Sequence, residues 1–334
     1  MTTVFVTHPS HRLDQYFGAR ALAALRGIAE VRLNPEAREL ATGELVAAAA
    51  DCDAMIAYRQ TPAPRELFEG LPRLAAFLRC AVDIRTIDVA AASRQGVLVT
   101  QASPGYVAAV SEWIVGAMVD LARGFSRYAA DYHRQGTAVP AMGRQLRGAT
   151  LGVIGYGQIG ADLAGLALAL GMQVLVADPQ PVAARPGLRQ VSLAALLAGS
   201  DFVACLAPAN AGTENLMDAA AFAAMPRGSF FINASRGELV DEAALLAALE
   251  RGHLGGCALD VGRAPDQMPS PALARHPLVL ATPHIGGLTV PAIEHQALET
   301  VEQLGELLRG GIPRGAVNAG DARRLARWHA GSAA

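Results

Sequence analysis

The sequence predicts an α/β protein of two domains, each built on a doubly wound parallel sheet. Short apolar runs alternate with Ala/Leu-rich helical stretches along most of the 334 residues, the pattern of strands covered by helices on both faces. That series occurs twice, with a turn signal at Ser103-Pro104-Gly105 between the two. The length also exceeds the ~100–200 residues that one core usually organises. A composition 52% hydrophobic and 17% charged is that of a folded chain.

In the first series, the apolar runs 4–6, 31–33, 54–58, 74–78 and 97–99 are the expected strands, and 15–27 the first helix. A single amphipathic helix is expected from about Tyr106 to Arg134, with Val110, Ile114, Ala117 and Leu121 at helical spacing, linking the domains. The second series has strands at 150–154, 174–177, 202–206, 230–233, 256–260 and 278–281. Each is followed by a loop with polar residues, where a doubly wound sheet places its ligand contacts. Another helix follows Thr289 to about Arg309, and the Gly- and Arg-containing remainder reads as a short surface tail.

Composition removes several classes of function. All 28 basic residues are Arg, so a pyridoxal Schiff base, a Lys nucleophile and a P-loop are excluded, since each requires a primary ammonium. A formal charge of −2 with scattered Arg offers no field for nucleic acid. No run approaches the ~18 apolar residues of a membrane span, and the first residues lack a basic segment followed by an apolar one, so the expected place is the cytoplasm. Cys52, Cys80, Cys205 and Cys257 lie far apart without a C-x-x-C pair, which suggests neither a disulfide framework nor a metal site.

Leu151-Gly-Val-Ile-Gly155-Tyr-Gly157-Gln158-Ile159-Gly160 supplies G-x-G-x-x-G between an expected buried strand and an apolar helix. This is the dinucleotide fingerprint of a Rossmann-like domain. Its glycines allow the tight turn, the approach of backbone to a pyrophosphate, and close packing of helix on strand. Asp178 ends the next strand, eighteen residues beyond Gly160, as expected for an acid that accepts hydrogen bonds from the ribose hydroxyls. A carboxylate there would repel a 2′-phosphate, so the cofactor is expected to be NAD rather than NADP.

Leu146-Arg-Gly148, Ile232-Asn-Ala234-Ser235-Arg236-Gly-Glu-Leu-Val-Asp241, Cys257-Ala-Leu-Asp260-Val and Ala281-Thr-Pro-His284-Ile-Gly-Gly287 follow in that order. In this succession the chain resembles the D-isomer-specific 2-hydroxyacid dehydrogenases over about residues 50–310. The resemblance implies two Rossmann-like/flavodoxin-like domains with an active-site cleft between them. Residues 1–102 plus 288–334 would form the substrate domain and 103–287 the NAD domain, through which a homodimer would form. It implies cofactor contacts from Gly155, Gly157, Gln158, Ile159, Gly160, Asp178, Ala234, Ser235, Arg236, Asp260 and Gly287. Substrate contacts would come from Ala81, Val82, Asp83 and Arg236.

The roles make chemical sense. Reducing a 2-keto acid requires an anchor for its carboxylate, polarisation of its carbonyl and a proton for the oxygen that gains charge. Arg236 offers a planar, permanently charged fork for the first two. His284 matches the general acid/base, and imidazole can act in both directions near neutrality.

Two departures stand out. The family's Glu before a Pro falls at Ala264 in Asp260-Val-Gly-Arg-Ala264-Pro265-Asp266-Gln267. Either Asp266 reaches His284 in its place or the His acts without a carboxylate. Asp83 also stands in a loop usually richer in Gly, placing an anion beside an anionic substrate unless Arg85 compensates. The competing reading is an NAD(H)-binding regulatory protein with little catalysis. A formate-type dehydrogenase would need a polar amide where Ala264 stands.

Overall fold

The computed structural model describes residues 2–329. They fall into two compact units, one of residues up to Gly105 together with those from Val290, the other Tyr106–Thr289.

The first unit carries β1 (Thr3–Val6), β2 (Glu30–Leu33), β3 (Ala54–Ala57), β4 (Ala76–Arg79) and β5 (Leu98–Gln101), all parallel in the order β2-β1-β3-β4-β5. Side chains alternate between two cores, as the period of two in a strand requires. Val4, Val6, Ile56 and Leu78 enter one, while Phe5, Met55 and Phe77 enter the other. Helix Val290–Leu308 lays Ala297, Val301, Leu304 and Leu307 on the first of these faces.

As far as it is described, the stretch after that helix is no loose surface tail; residues 330–334 of the expected tail lie outside the described residues. Gln101 N–H donates to the Gly315 carbonyl and Val317 N–H to the Val99 carbonyl, both at 3.0 Å, and Ala316 forms an antiparallel bridge to Thr100. These contacts cover the free edge of β5, which would otherwise present unpaired main-chain groups. Beyond them, Arg324 donates to the carbonyls of Leu71 and Leu74 at 2.7 and 2.9 Å, and Leu325 is buried. Pairing through main-chain atoms leaves no apolar pattern, which is why this segment reads as a tail from sequence.

The second unit contains β6 (Thr150–Ile154), β7 (Gln173–Ala177), β8 (Leu188–Gln190), β9 (Phe202–Cys205), β10 (Phe230–Asn233), β11 (Gly256–Leu259) and β12 (Val279–Ala281). Their order is β12-β11-β10-β9-β6-β7-β8, with every pair parallel. The chain winds outward from β6 to β8, then returns to β9 and winds the other way. The switch point therefore lies between β6 and β9, where a doubly wound sheet opens its ligand crevice. β8 was not expected, because Leu188-Arg-Gln190 contains one apolar residue.

The single helix expected over 106–134 is two helices, Val107–Arg123 and Phe125–Gln135, separated by Gly124 at φ +69°. Left-handed backbone at glycine is a common helix stop. Val110, Ile114, Ala117 and Met118 pack with Leu151, Val153 and Leu163, so the first of these helices belongs to the core of the second unit rather than linking two domains.

Candidate active site

At the switch point the fingerprint glycines sit where larger residues would not fit. Gly155 has φ +92°, and a Cβ there would lie 2.7 Å from the Ala207 nitrogen in the loop after β9. A Cβ on Gly160 would come within 2.3 Å of the Gly155 carbonyl oxygen. Gly157, in contrast, faces open space and is the N-cap of helix Gln158–Ala169. That helix start combines unsatisfied N–H groups, the positive end of the helix dipole and no obstructing side chain, which suits a pyrophosphate. Gln158 and Ile159 form its first turn.

Asp178 follows β7 and is tied to the same loop. Its carboxylate accepts from Tyr156 N–H at 2.6 Å and Gln180 N–H at 2.7 Å. Each oxygen retains a lone pair for a ribose hydroxyl. Gln190, which drew no attention in the sequence, closes this turn. It donates to the carbonyls of Asp178 and Gln180 and accepts from Val182 N–H. A lone Gln near a short strand carries no signal that would have marked it.

The other site residues lie past one row of the sheet. Asn233, Leu259 and Ala281 are register partners across β10, β11 and β12. Arg236 and His284 each stand three residues beyond that row, on strands two apart, or about 10 Å at the usual spacing. Asn233 is buried and shapes the first loop: its amide donates to the Arg236 carbonyl at 2.9 Å and its oxygen accepts from Ser235 N–H at 3.1 Å. Ser235 Oγ donates to the Ala207 carbonyl at 2.6 Å, fastening Ala234 and Ser235 to the loop beside the fingerprint. Arg236 has extended backbone, and its guanidinium donates to the Ser235 carbonyl.

Asp260 ends β11 with its carboxylate buried. One oxygen accepts from Thr282 Oγ1 at 2.6 Å and Ile285 N–H at 2.8 Å, and the other from Gly286 N–H at 2.7 Å. Three donors to one buried carboxylate fix the turn that presents His284, a job the sequence did not reveal for Asp260 or Thr282. Gly287 follows and packs against Tyr106. His284 has φ +57°, an uncommon conformation for a residue with a Cβ. Its Nδ1 lies 3.0 Å from the main-chain carbonyl oxygen of Asp266. Asp266 and Gln267 are left-handed as well, at φ 57° each, in a loop closed by Gly262 N–H on the Gln267 carbonyl and Ala264 N–H on that of Met268. Asp266 thus meets His284 through its backbone.

In the first unit, Ala81, Val82 and Asp83 follow β4. Arg85 pairs with Asp83 at 2.8 Å, balancing the anion that the sequence placed in this loop. The preceding Arg79 is fully buried and donates to the carbonyls of Tyr58 and Thr61 and to Thr86 Oγ1, which ties the strand ends together. Burial lowers its pKa to about 10, so it stays charged.

Residues 115–286 match the family "D-isomer specific 2-hydroxyacid dehydrogenase, NAD binding domain". The chain is 34% identical over 286 residues to D-3-phosphoglycerate dehydrogenase 3, chloroplastic, of Arabidopsis thaliana, covering 84% of this chain and 49% of that protein. It is 36% identical over 269 residues to (S)-sulfolactate dehydrogenase of Chromohalobacter salexigens, covering 78% and 86%. The chain therefore spans about half the length of the phosphoglycerate dehydrogenase and most of the sulfolactate dehydrogenase. Among solved structures, a protein of Thermus thermophilus superposes with a TM-score of 0.83 at 30% identity, covering 95% of this chain and all of that one. D-Lactate dehydrogenase of Aquifex aeolicus, complexed with NAD and lactic acid, superposes with a TM-score of 0.77 at 25% identity, covering 95% and 99%. The second unit is accordingly an NAD-binding domain, and the chain belongs to the D-isomer specific 2-hydroxyacid dehydrogenase family.

Proposed function

We propose that this protein is an NAD-dependent dehydrogenase that interconverts a small 2-keto acid and its D-2-hydroxy acid. The observation that carries this reading is the pairing at the strand ends: Arg236 after β10, and His284 after β12 with its Nδ1 held on a carbonyl. Bound NAD(H) supplies or accepts the hydride at C4 of its nicotinamide. Gly155, Gly157, Gln158, Ile159 and Gly160 would hold the pyrophosphate, Asp178 the ribose, and Ala234, Ser235, Asp260 and Gly287 the nicotinamide half. Gly157's open surroundings and the unused lone pairs of Asp178 favour that fit.

Arg236 would anchor the substrate carboxylate and polarise the adjacent carbonyl, since a guanidinium fork serves two oxygens at once. His284 would protonate the new hydroxyl in reduction and remove its proton in oxidation. The contact between Nδ1 and the Asp266 carbonyl orients the ring for that exchange. Asp266 supplies that fixing carbonyl, and its carboxylate would take over part of the electrostatic work of the missing Glu. The turn of Ala81, Val82 and Asp83 would bind the substrate through main-chain N–H groups, with Asp83 neutralised by Arg85. The first unit would therefore be the substrate domain.

A homodimer through the NAD domain is supported by Phe125, Tyr132, Val139 and Met142, apolar or aromatic side chains more than half exposed on one stretch of the second unit. A cytoplasmic location is supported by four buried, unpaired cysteines; burial pushes the Cys80 and Cys205 thiols up to about 12. Among the described residues no helix is long and apolar enough to cross a membrane.

The test is a panel of 2-keto acids with NADH, for wild type, Arg236→Ala and His284→Ala. Turnover of at least one acid, abolished by both changes, supports the dehydrogenase. Tight NADH binding without turnover of any acid favours a regulatory NAD(H)-binding protein instead.

A further inference from the structure

Arg263 lies between Asp260 and Asp266 in the loop after β11, and its side chain leaves that loop. Its Nη2 lies 2.8 Å from Glu214 Oε1, 2.7 Å from Asn215 Oδ1 and 2.9 Å from the Glu238 carbonyl oxygen. The Val240 carbonyl accepts from Nε and Nη2 at 3.3 and 3.2 Å, and Arg263 N–H donates to Glu242 Oε1 at 3.1 Å. One guanidinium therefore spans three segments: its own loop 262–268, the loop 237–240 that continues from Arg236, and the turn 214–215. The last two are joined independently, by Asn215 N–H on the Glu238 carbonyl and Met217 N–H on that of Leu239.

The main chains beneath this brace touch. A Cβ on Gly237 would lie 2.2 Å from the carbonyl carbon and oxygen of Gly262. Residue 237 follows Arg236, and residue 262 donates to the Gln267 carbonyl, closing the loop whose Asp266 carbonyl meets His284. The backbone contact sets how closely the loops approach. It does not stop one sliding along the other, because van der Waals contact has little directionality. A planar fork directed at carbonyl oxygens and a carboxamide oxygen does resist sliding.

We infer that Arg263 is a positioning residue, the cross-brace that fixes the loop carrying Arg236 against the loop that orients His284. The inference rests on the dehydrogenase reading for its kinetic consequence and on the hydrogen-bond geometry alone for its structural one. Arg263 touches neither catalytic side chain. It acts through the Glu238 and Val240 carbonyls on one side and through Asp266 on the other. Where the family places a Glu beside the His, this chain has Ala264, and the adjacent Arg263 secures the loop to the segments 214–215 and 238–242.

The test compares wild type with Arg263→Met, which keeps the aliphatic stem, and Arg263→Lys, which keeps the charge and one donor group. Imidazole nitrogen NMR on the NADH-bound protein, with the signal identified by its loss in His284→Asn, reads the ring without relying on turnover. Wild type should show one tautomer, protonated on Nδ1, and Arg263→Met a mixture. In kinetics, a misplacement of the order of 1 Å can cost about a hundredfold, so Arg263→Met should lose about ten- to a hundredfold in kcat. Its NADH affinity should stay within about twofold, because the fingerprint is untouched, and Arg263→Lys should recover part of kcat.

An unchanged tautomer signal in Arg263→Met overturns the inference. So does a kcat per NADH-binding site within about twofold of wild type while Arg236→Ala and His284→Ala are inactive. If wild type turns over no 2-keto acid, the dehydrogenase reading fails, and the NMR comparison still decides whether Arg263 orients His284.

Discussion

His284 and Asp266 meet through a ring nitrogen and a main-chain carbonyl, Nδ1 to O at 3.0 Å. Amide carbonyls do not titrate, so this contact holds the ring in one orientation at any pH, which a carboxylate partner would not. The left-handed backbone at both residues shows how much local structure is committed to the arrangement.

Replacing Asp266 by Asn separates the two contributions of that residue. The carbonyl remains, and Asn tolerates left-handed backbone, so kcat at low pH should stay within about threefold. Loss of a negative charge near the ring disfavours imidazolium, so the pH above which keto-acid reduction falls should move down. A superimposable pH–rate profile would assign Asp266 to orientation alone.

Asp178→Ala removes the acceptor for Tyr156 N–H and Gln180 N–H as well as the expected ribose partner. Hydrogen bonds to a charged group contribute about 1.5–3 kcal/mol each, so losing a ribose contact should weaken NADH binding about ten- to a hundredfold. The ratio of NADPH to NADH kcat/KM should rise, because the anion facing a 2′-phosphate is gone. Equal use of the two cofactors by wild type would contradict the NAD assignment.

His8 lies buried between the rings of Phe17 and Tyr58, with centroids 5.3 and 5.2 Å away. Burial lowers its pKa to about 3; the Tyr16 backbone opposes that shift in part and the Arg79 guanidinium adds to it. The unfolded ring titrates near 6.5, so unfolding takes up a proton at any pH between the two values. Stability is therefore full above about pH 6.5 and falls as pH drops toward 3, by up to about 1.4 kcal/mol per unit from this residue. Urea midpoints of wild type and His8→Phe at pH 7, 6 and 5 should diverge, the wild type losing more. Parallel curves would show that His8 titrates normally in the folded protein.

Asn318 accepts from Val99 N–H at 2.8 Å and donates to the Val97 carbonyl at 2.9 Å and Ser93 Oγ at 3.0 Å. Asn318→Ala removes the partner of Val99 N–H in β5 and of the Val97 carbonyl just before it, and should cost about 2–3 kcal/mol of stability. The loss should appear as a lower Tm with NADH affinity unchanged. A Tm equal to wild type would show that the segment only rests on the sheet.

Sequence pattern revealed most of this fold because burial on both faces forces apolar runs, and ten of the twelve strands among the described residues have them; edge strand Glu30–Leu33 shows only the alternation Val31-Arg-Leu33. Leu188–Gln190 does not, being a three-residue edge strand. The helix break at Gly124 was hidden by apolar spacing that continues toward it. Arg236 and His284 were legible because they follow apolar strands inside distinctive loops. The contacts that hold those loops were not, because the Asp266 carbonyl is main chain and Arg263 resembles any other Arg on a surface loop. Asp260 was visible as a residue, while its role toward the His284 turn depends on three donors that only the folded chain assembles.

The most direct measurement follows the hydrogen itself. Wild type is given NADH carrying deuterium at the transferable C4 position together with an accepted 2-keto acid, and the product is examined by mass and chirality. The expected product is a D-2-hydroxy acid with one deuterium on C2, its formation slowed at least about a hundredfold in His284→Asn. Deuterium that stays on a tightly bound cofactor with every acid offered, or product formed equally fast by His284→Asn, would contradict the account.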